Sequence, residues 1–137
     1  MRLFYIASVS ATLALCTIGT PSIAAEGFNA AQKAAAERSV ADLRDEFDLK
    51  LVDYTSARFR NVVASAWRGT DSVRICGLVN AKNRSGGYAG WNEFAYSGGY
   101  LLTGPDDADQ IAKLCAPSDA RIQDTKDYSS DLTFKGS

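Results

Sequence analysis

The chain has 137 residues, 46% hydrophobic and 23% charged, a size and balance that fit one globular domain. It contains no histidine, which excludes Ser-His-Asp and Cys-His catalysis, histidine zinc sites and the usual histidine pH switch. A net charge of −1 predicts no general affinity for nucleic acid or for an anionic membrane.

Residues 1–25 read as a cleavable export signal. A single positive charge at Arg2 precedes an apolar run from Leu3 to Ile18, and small residues follow at Ser22-Ile23-Ala24-Ala25. That order is the signature of a secretory signal with a cut near Ala25/Glu26. The apolar run is shorter and more interrupted than the ~20 residues a membrane span needs, so no stable membrane anchor is expected after the signal is removed. Cys16 follows the bulky Leu15, where lipid attachment requires a small residue. The expected location is periplasmic or secreted. Removal of residues 1–25 takes Cys16 away and leaves Cys76 and Cys115. In an oxidising compartment an even pair in a small domain reads as a disulfide.

Residues 26–119 are expected to form a single α+β domain. Residues 29–51 read as a helix with Asn29 as N-cap and Val40, Leu43, Phe47 and Leu51 as its apolar stripe. Its first half, through Ala36, has almost nothing large to bury and is expected to fray or project. Asp53-Tyr54-Thr55-Ser56 reads as a turn. Arg58 to Trp67 alternates as a strand, with Phe59, Val63 and Trp67 on one face and Arg60, Val62, Ala64 and Ala66 on the other. After a turn at 68–72, Val73 to Asn80 forms the next strand, with Cys76 opposite Ile75. Ala81 to Gly90 is a glycine-bearing loop. Trp91–Tyr96 and Tyr100–Thr103 are further strands around a Ser97-Gly98-Gly99 turn. A second helix starts at Gly104-Pro105-Asp106-Asp107, where a proline and two acids suit a helix N-terminus, and it ends at Pro117. Residues 120–137 read as a polar, loosely attached tail. This order predicts an antiparallel sheet of about four strands with the N-terminal and C-terminal helices on one face. The Cys76–Cys115 bond would staple the last helix over the Cys76 side of the second strand.

Charge is unevenly distributed. Between Arg58 and Arg84 the bases are Arg58, Arg60, Arg68, Arg74, Lys82 and Arg84, against the single acid Asp71. Three blocks fall in or beside this stretch: D-x-x-S-A-x-F-R-N-V at Asp53–Val62, C-G-x-V-N-A-K-N at Cys76–Asn83, and G-G-Y-x-G-aromatic-x-x-F at Gly86–Phe94. Together they resemble a family of small exported bacterial proteins of unknown function. The resemblance implies a bacterial, exported protein and carries over no catalytic residue and no activity.

The candidate binding surface is therefore read from the residues: Arg58, Arg60, Asn80, Lys82, Asn83, Arg84, Tyr88 and Trp91. Glycine-loop N–H groups with Lys82 and Arg84 can hold an anion, and Tyr88 and Trp91 can stack on a ring. The competing structural reading has Asn80 and Asn83 bonding loop backbone, and Tyr88 and Trp91 packing. Arg58 and Arg60 share one strand face and are expected to pair with Asp53, Asp71 or Glu93, or to grip a carboxylate. No metal site and no cofactor is expected. The leading functional expectation is a non-enzymatic binding or interaction module, one form of which is an inhibitor or immunity-type protein. Its partner would be another protein or an anionic, glycan-like envelope ligand, with no nucleic acid. One alternative is a small envelope enzyme using Lys82 with Ser85, or the carboxylates Asp71 and Glu93. Another is a structural envelope protein without a ligand.

Overall fold

A computed structural model describes residues 26–136. The expected export signal lies outside the described residues. Helix α1 spans Ala30–Lys50. Asn29 caps it reciprocally: Gln32 N–H donates to Asn29 Oδ1 at 2.8 Å, and Asn29 N–H donates to Gln32 Oε1 at 3.1 Å. The first half of α1 does not fray. Ala35 and Ala36 are buried, and the buried Gln32 donates through Nε2 to the Thr70 carbonyl at 2.9 Å. Small side chains let this half approach the sheet closely, and Gln32 ties it to the first turn. Val40, Leu43 and Phe47 complete the buried stripe.

The sheet is antiparallel and has five strands in the order β4-β3-β2-β1-β5. They are β1 Arg58–Trp67, β2 Val73–Asn80, β3 Asn92–Ser97, β4 Tyr100–Thr103 and β5 Arg121–Gln123. Among the described residues there are also two short α-helices, α2 at Ala108–Cys115 and α3 at Ser129–Leu132, and 3-10 turns at Tyr54–Ser56 and Pro105–Asp107.

The inner face of the sheet packs on α1 and α3. Its core joins Phe47, Phe59, Val62, Ile75, Phe94 and Tyr96 to Tyr128 and Leu132. The rings of Phe47 and Phe94 meet edge-on at 5.0 Å, and those of Phe47 and Phe59 at 5.1 Å. Phe59 and Val62 both reach this core, although strict alternation would separate them. Asn61, with φ of 52°, supplies a bulge between Arg60 and Val63 that switches the parity of β1. Strict alternation placed Phe59 with Val63 and Trp67; the bulge leaves Val63 and Trp67 on the outer face without it.

Three further features depart from the sequence reading. The helices do not share a face. Cys76 pairs with Val63 and Ala95 across the sheet, opposite the parity of Ile75, Ala64 and Tyr96. Cys115 bonds to Cys76, so α2 covers the outer face, with Ile111 buried, while α1 and α3 cover the inner one. A fifth strand exists, because Arg121–Gln123 pairs with Ser65–Trp67. Finally, the segment after residue 119 is not loosely attached. Asp124 N–H donates to Ala64 O and Tyr128 N–H to Val62 O, each at 2.9 Å, and Tyr128 and Leu132 are fully buried. Polar side chains serve the bulge: Val62 N–H is held by Asp127 Oδ1 at 3.3 Å and Ser129 Oγ at 3.2 Å. Those polar residues made the segment look like a tail; they are what fastens it.

Candidate binding surface

The outer face has two halves. Helix α2 covers the β3 and β4 side and its last turn reaches Arg74 and Arg121, whereas the outward side chains of Arg58 and Arg60 at the start of β1 are exposed. The register sets Arg58 beside Asn80 and Arg60 beside Leu78, and Leu78 beside Glu93. All these residues share the outer face with Cys76.

Residues 81–90 form an ordered extension of the sheet. Lys82 and Tyr88 bridge antiparallel, Asn83 N–H donates to Gly87 O at 2.8 Å, and Ala89 N–H donates to Ala81 O at 3.1 Å. The Asn83 side chain closes the tip, accepting from Ser85 N–H at 3.0 Å and Gly87 N–H at 3.2 Å. Asn80 Oδ1 accepts from Gly90 N–H at 3.1 Å. Both asparagines thus organise loop backbone through their Oδ1 atoms. Gly86 and Gly90, with φ of 81° and 96°, supply conformations that a side chain would disfavour. Arg84 is exposed in the turn at the tip.

The remaining five candidates converge. Arg60 Cζ lies 4.0 Å from the ring centroid of Trp91. Arg58 Cζ lies 4.5 Å from that of Tyr88, with Lys82 Nζ at 5.7 Å from the same ring. The Tyr88 hydroxyl donates to Ser56 O at 3.0 Å, which docks the loop on the approach to β1. Tyr88 and Trp91 are each almost 40% exposed. The expected ion pairs do not form. Among the described residues, salt bridges join Arg68 to Glu26 and Lys126 to Asp131, and neither Arg58 nor Arg60 takes part. Asp53 instead accepts from Ser56 and Thr55, whose hydrogen bonds hold its carboxyl below its ordinary range.

A guanidinium whose Cζ lies 4.0–4.5 Å from a ring centroid sits over the ring and is attracted by its π-electrons. Such a stack contributes roughly 0.5–1 kcal/mol when exposed. It also restricts the side chain before any partner arrives, and a guanidinium is the group best suited to bidentate recognition of a carboxylate or phosphate.

The residues considered for catalysis do not come together. Asp71 lies in the β1–β2 turn, while Glu93 faces Leu78, seven residues further along the strand direction. At ~3.3 Å per residue this is about 20 Å, well beyond the ~10 Å limit for a working glycosidic pair. Lys82 points to the Tyr88 ring, and no hydrogen bond joins it to Ser85. Among the described residues no group of three or more Cys, Asp or Glu converges to hold a metal ion.

Sequence reasoning missed a second cationic cluster on the same face. Arg121 Cζ lies 5.0 Å from the ring centroid of Trp67, its cross-strand partner. Arg121 donates to the Leu114 carbonyl at 2.7 Å, and Arg74 donates to the same oxygen. The Nε atoms of both are buried without a hydrogen-bond partner among the described residues. Burial, and then the charge of Arg121, push the Arg74 pKa down. This cluster exists only because β5 pairs with β1, a long-range contact with no local signature. Comparison of the chain with family models, curated proteins and solved structures yields no match, so its functional reading rests on this geometry.

Proposed function

We propose that the mature domain is a non-enzymatic binding module of the bacterial cell envelope that holds an acidic partner on the Arg58–Tyr88 and Arg60–Trp91 stacks. One observation carries this reading: two arginines lie on two half-exposed aromatic rings with no carboxylate of the described residues in ion-pair reach. A purely structural arginine near a sheet edge is expected to take an acidic neighbour, and Glu93 on the same face is at hand. Export to the periplasm or beyond is supported by the signal-like residues 1–25, by the resemblance to small exported bacterial proteins and by the formed Cys76–Cys115 bond. No described helix is long and apolar enough to cross a membrane.

The test is affinity capture from an envelope extract with the mature domain, compared with Arg58→Ala/Arg60→Ala. The expected result is a partner, identified by mass spectrometry, that is lost from the double variant at an unchanged melting temperature. A partner retained equally by the variant contradicts the assignment of this surface.

A further inference from the structure

The second cationic cluster is separate from the Arg58 and Arg60 surface and is built differently. Register places Arg74 between Ser65 on β1 and Ser97 on β3, so one cross-strand row on the outer face reads Ser65, Arg74, Ser97. The next row pairs Trp67 with Arg121. These residues, with Ser72 from the turn before β2, line a hollow of about 10 Å³. That is room for one species of about the size of a water molecule.

The lining is uniform in sign. Among the described residues it holds two guanidinium groups, three hydroxyls and an indole, and no carboxylate. Guanidinium and indole N–H groups only donate, and a hydroxyl can donate. Asp119 lines an adjoining hollow with Arg121, yet neither Arg74 nor Arg121 forms an ion pair among the described residues. Capping of α2 does not satisfy the cluster. Each arginine gives one N–H to the Leu114 carbonyl, and the Nε of each stays buried without a hydrogen-bond partner among the described residues. Two hydrogen bonds to one oxygen hold the donor nitrogens within about 6 Å of each other. The end of a helix offers roughly half a negative charge against these two positive ones. A buried donor without an acceptor costs free energy, and two half-buried like charges add to that cost unless a negative group joins them.

We infer that Arg74 and Arg121, with the hydroxyls of Ser65, Ser72 and Ser97, bind one chloride-sized anion. Its charge offsets the guanidinium pair, and a spherical ion accepts from several N–H and O–H donors at once without an angular demand. Sulfate and phosphate, with four oxygens around a central atom, exceed the hollow. The ion ties the end of α2 to the middle of the sheet through the two arginines that already hold Leu114 O. This site and the proposed binding surface do not depend on each other.

The test is a titration of the mature domain with sodium chloride in place of sodium gluconate at constant ionic strength, which holds screening fixed. The Nε–H resonances of Arg74 and Arg121 and the indole N–H resonance of Trp67 are followed by NMR. The expected result is a saturable shift of all three with one midpoint, repeated with bromide and absent with sulfate. Ser65→Ala/Ser97→Ala is expected to raise that midpoint about tenfold or more, the scale of lost hydrogen bonds to a charged group, with its melting temperature in gluconate unchanged. A drift that does not saturate overturns the site, as does saturation at Trp67 with both Nε–H resonances unmoved. Silence in chloride and in bromide leaves the Nε groups to water and overturns the inference. A sulfate response equal to that of chloride overturns the single-ion size. An unchanged midpoint in Ser65→Ala/Ser97→Ala overturns the assignment of the hydroxyls.

Discussion

Removal of the disulfide by Cys76→Ala/Cys115→Ala has consequences that the structure makes specific. The bond closes a loop of 39 residues. Loop-closure entropy assigns that length about 4 kcal/mol of stabilisation at 25 °C. A domain of this size shifts by roughly 4 °C or more per kcal/mol, so the melting temperature is expected to fall by about 15 °C. The loss is also localised. Helix α2 has eight residues, too few to persist alone in water, and Ile111 is its one fully buried side chain. Arg74 and Arg121 fasten its last turn, and Cys115 fastens its end. Helix α1 is held independently by Val40, Leu43 and Phe47 on the opposite face. Amide hydrogen exchange of the double variant should therefore show lost protection across residues 108–115 at a denaturant concentration where α1 keeps its own. A stability change below about 1 kcal/mol, or protection in α2 equal to that in the disulfide-bonded protein, would refute this account of how the outer layer is held.

Other expectations follow from the inner face and the C-terminal segment. Leu132→Ala should cost about 2–5 kcal/mol in urea unfolding, because the side chain is fully buried; a loose tail predicts no change. At Gly77 a Cβ would stand 2.9 Å from both Phe94 Cζ and Val62 Cγ2. Gly77→Ala is thus expected to destabilise by about 1–3 kcal/mol through overpacking, and a neutral melting curve would contradict the packing described. Hydrogen bonds from the Ser129 hydroxyl and N–H, with Val62 N–H, hold the Asp127 carboxyl below its ordinary range. Because the folded pKa is the lower one, the contribution is complete above the unfolded value of about 4 and fades as pH falls through the folded value. The urea midpoints of the parent and Asp127→Ala should differ at pH 6 and converge toward pH 2. A constant gap would remove Asp127 from the acid response.

Several of these features are visible in the sequence because their signals are local. The Asn29 cap, the Val40–Phe47 stripe, the β1–β2 hairpin and the turn at Ser97–Gly99 are each written within a few residues. The cysteine pair needs only the subtraction of Cys16. Sequence reasoning was least reliable where one residue alters parity or where polar groups act on distant backbone. Asn61 moves Phe59 to the core by adding one position, which no alternation count detects. Asp127 and Ser129 look like solvated tail residues until Val62 N–H is found between them. Likewise the conflict over helix placement comes from reading α1 and α2 without knowing which face each strand position holds. Within the candidate surface, residue type indicated the cations and rings, and β-register brought five of them together. Asn80 and Asn83 took the structural role instead, since a tight loop leaves N–H groups that those side chains are the right length to meet.

The most direct measurement for the central claim is calorimetric binding of the captured partner to the mature domain and to Arg58→Ala/Arg60→Ala, with thermal melting of both proteins alongside. A contact surface predicts that the double variant loses most of its affinity while its melting temperature stays within a degree or two. A lowered melting temperature with affinity intact would mean that the stacked arginines serve the fold, and the binding surface would have to lie elsewhere.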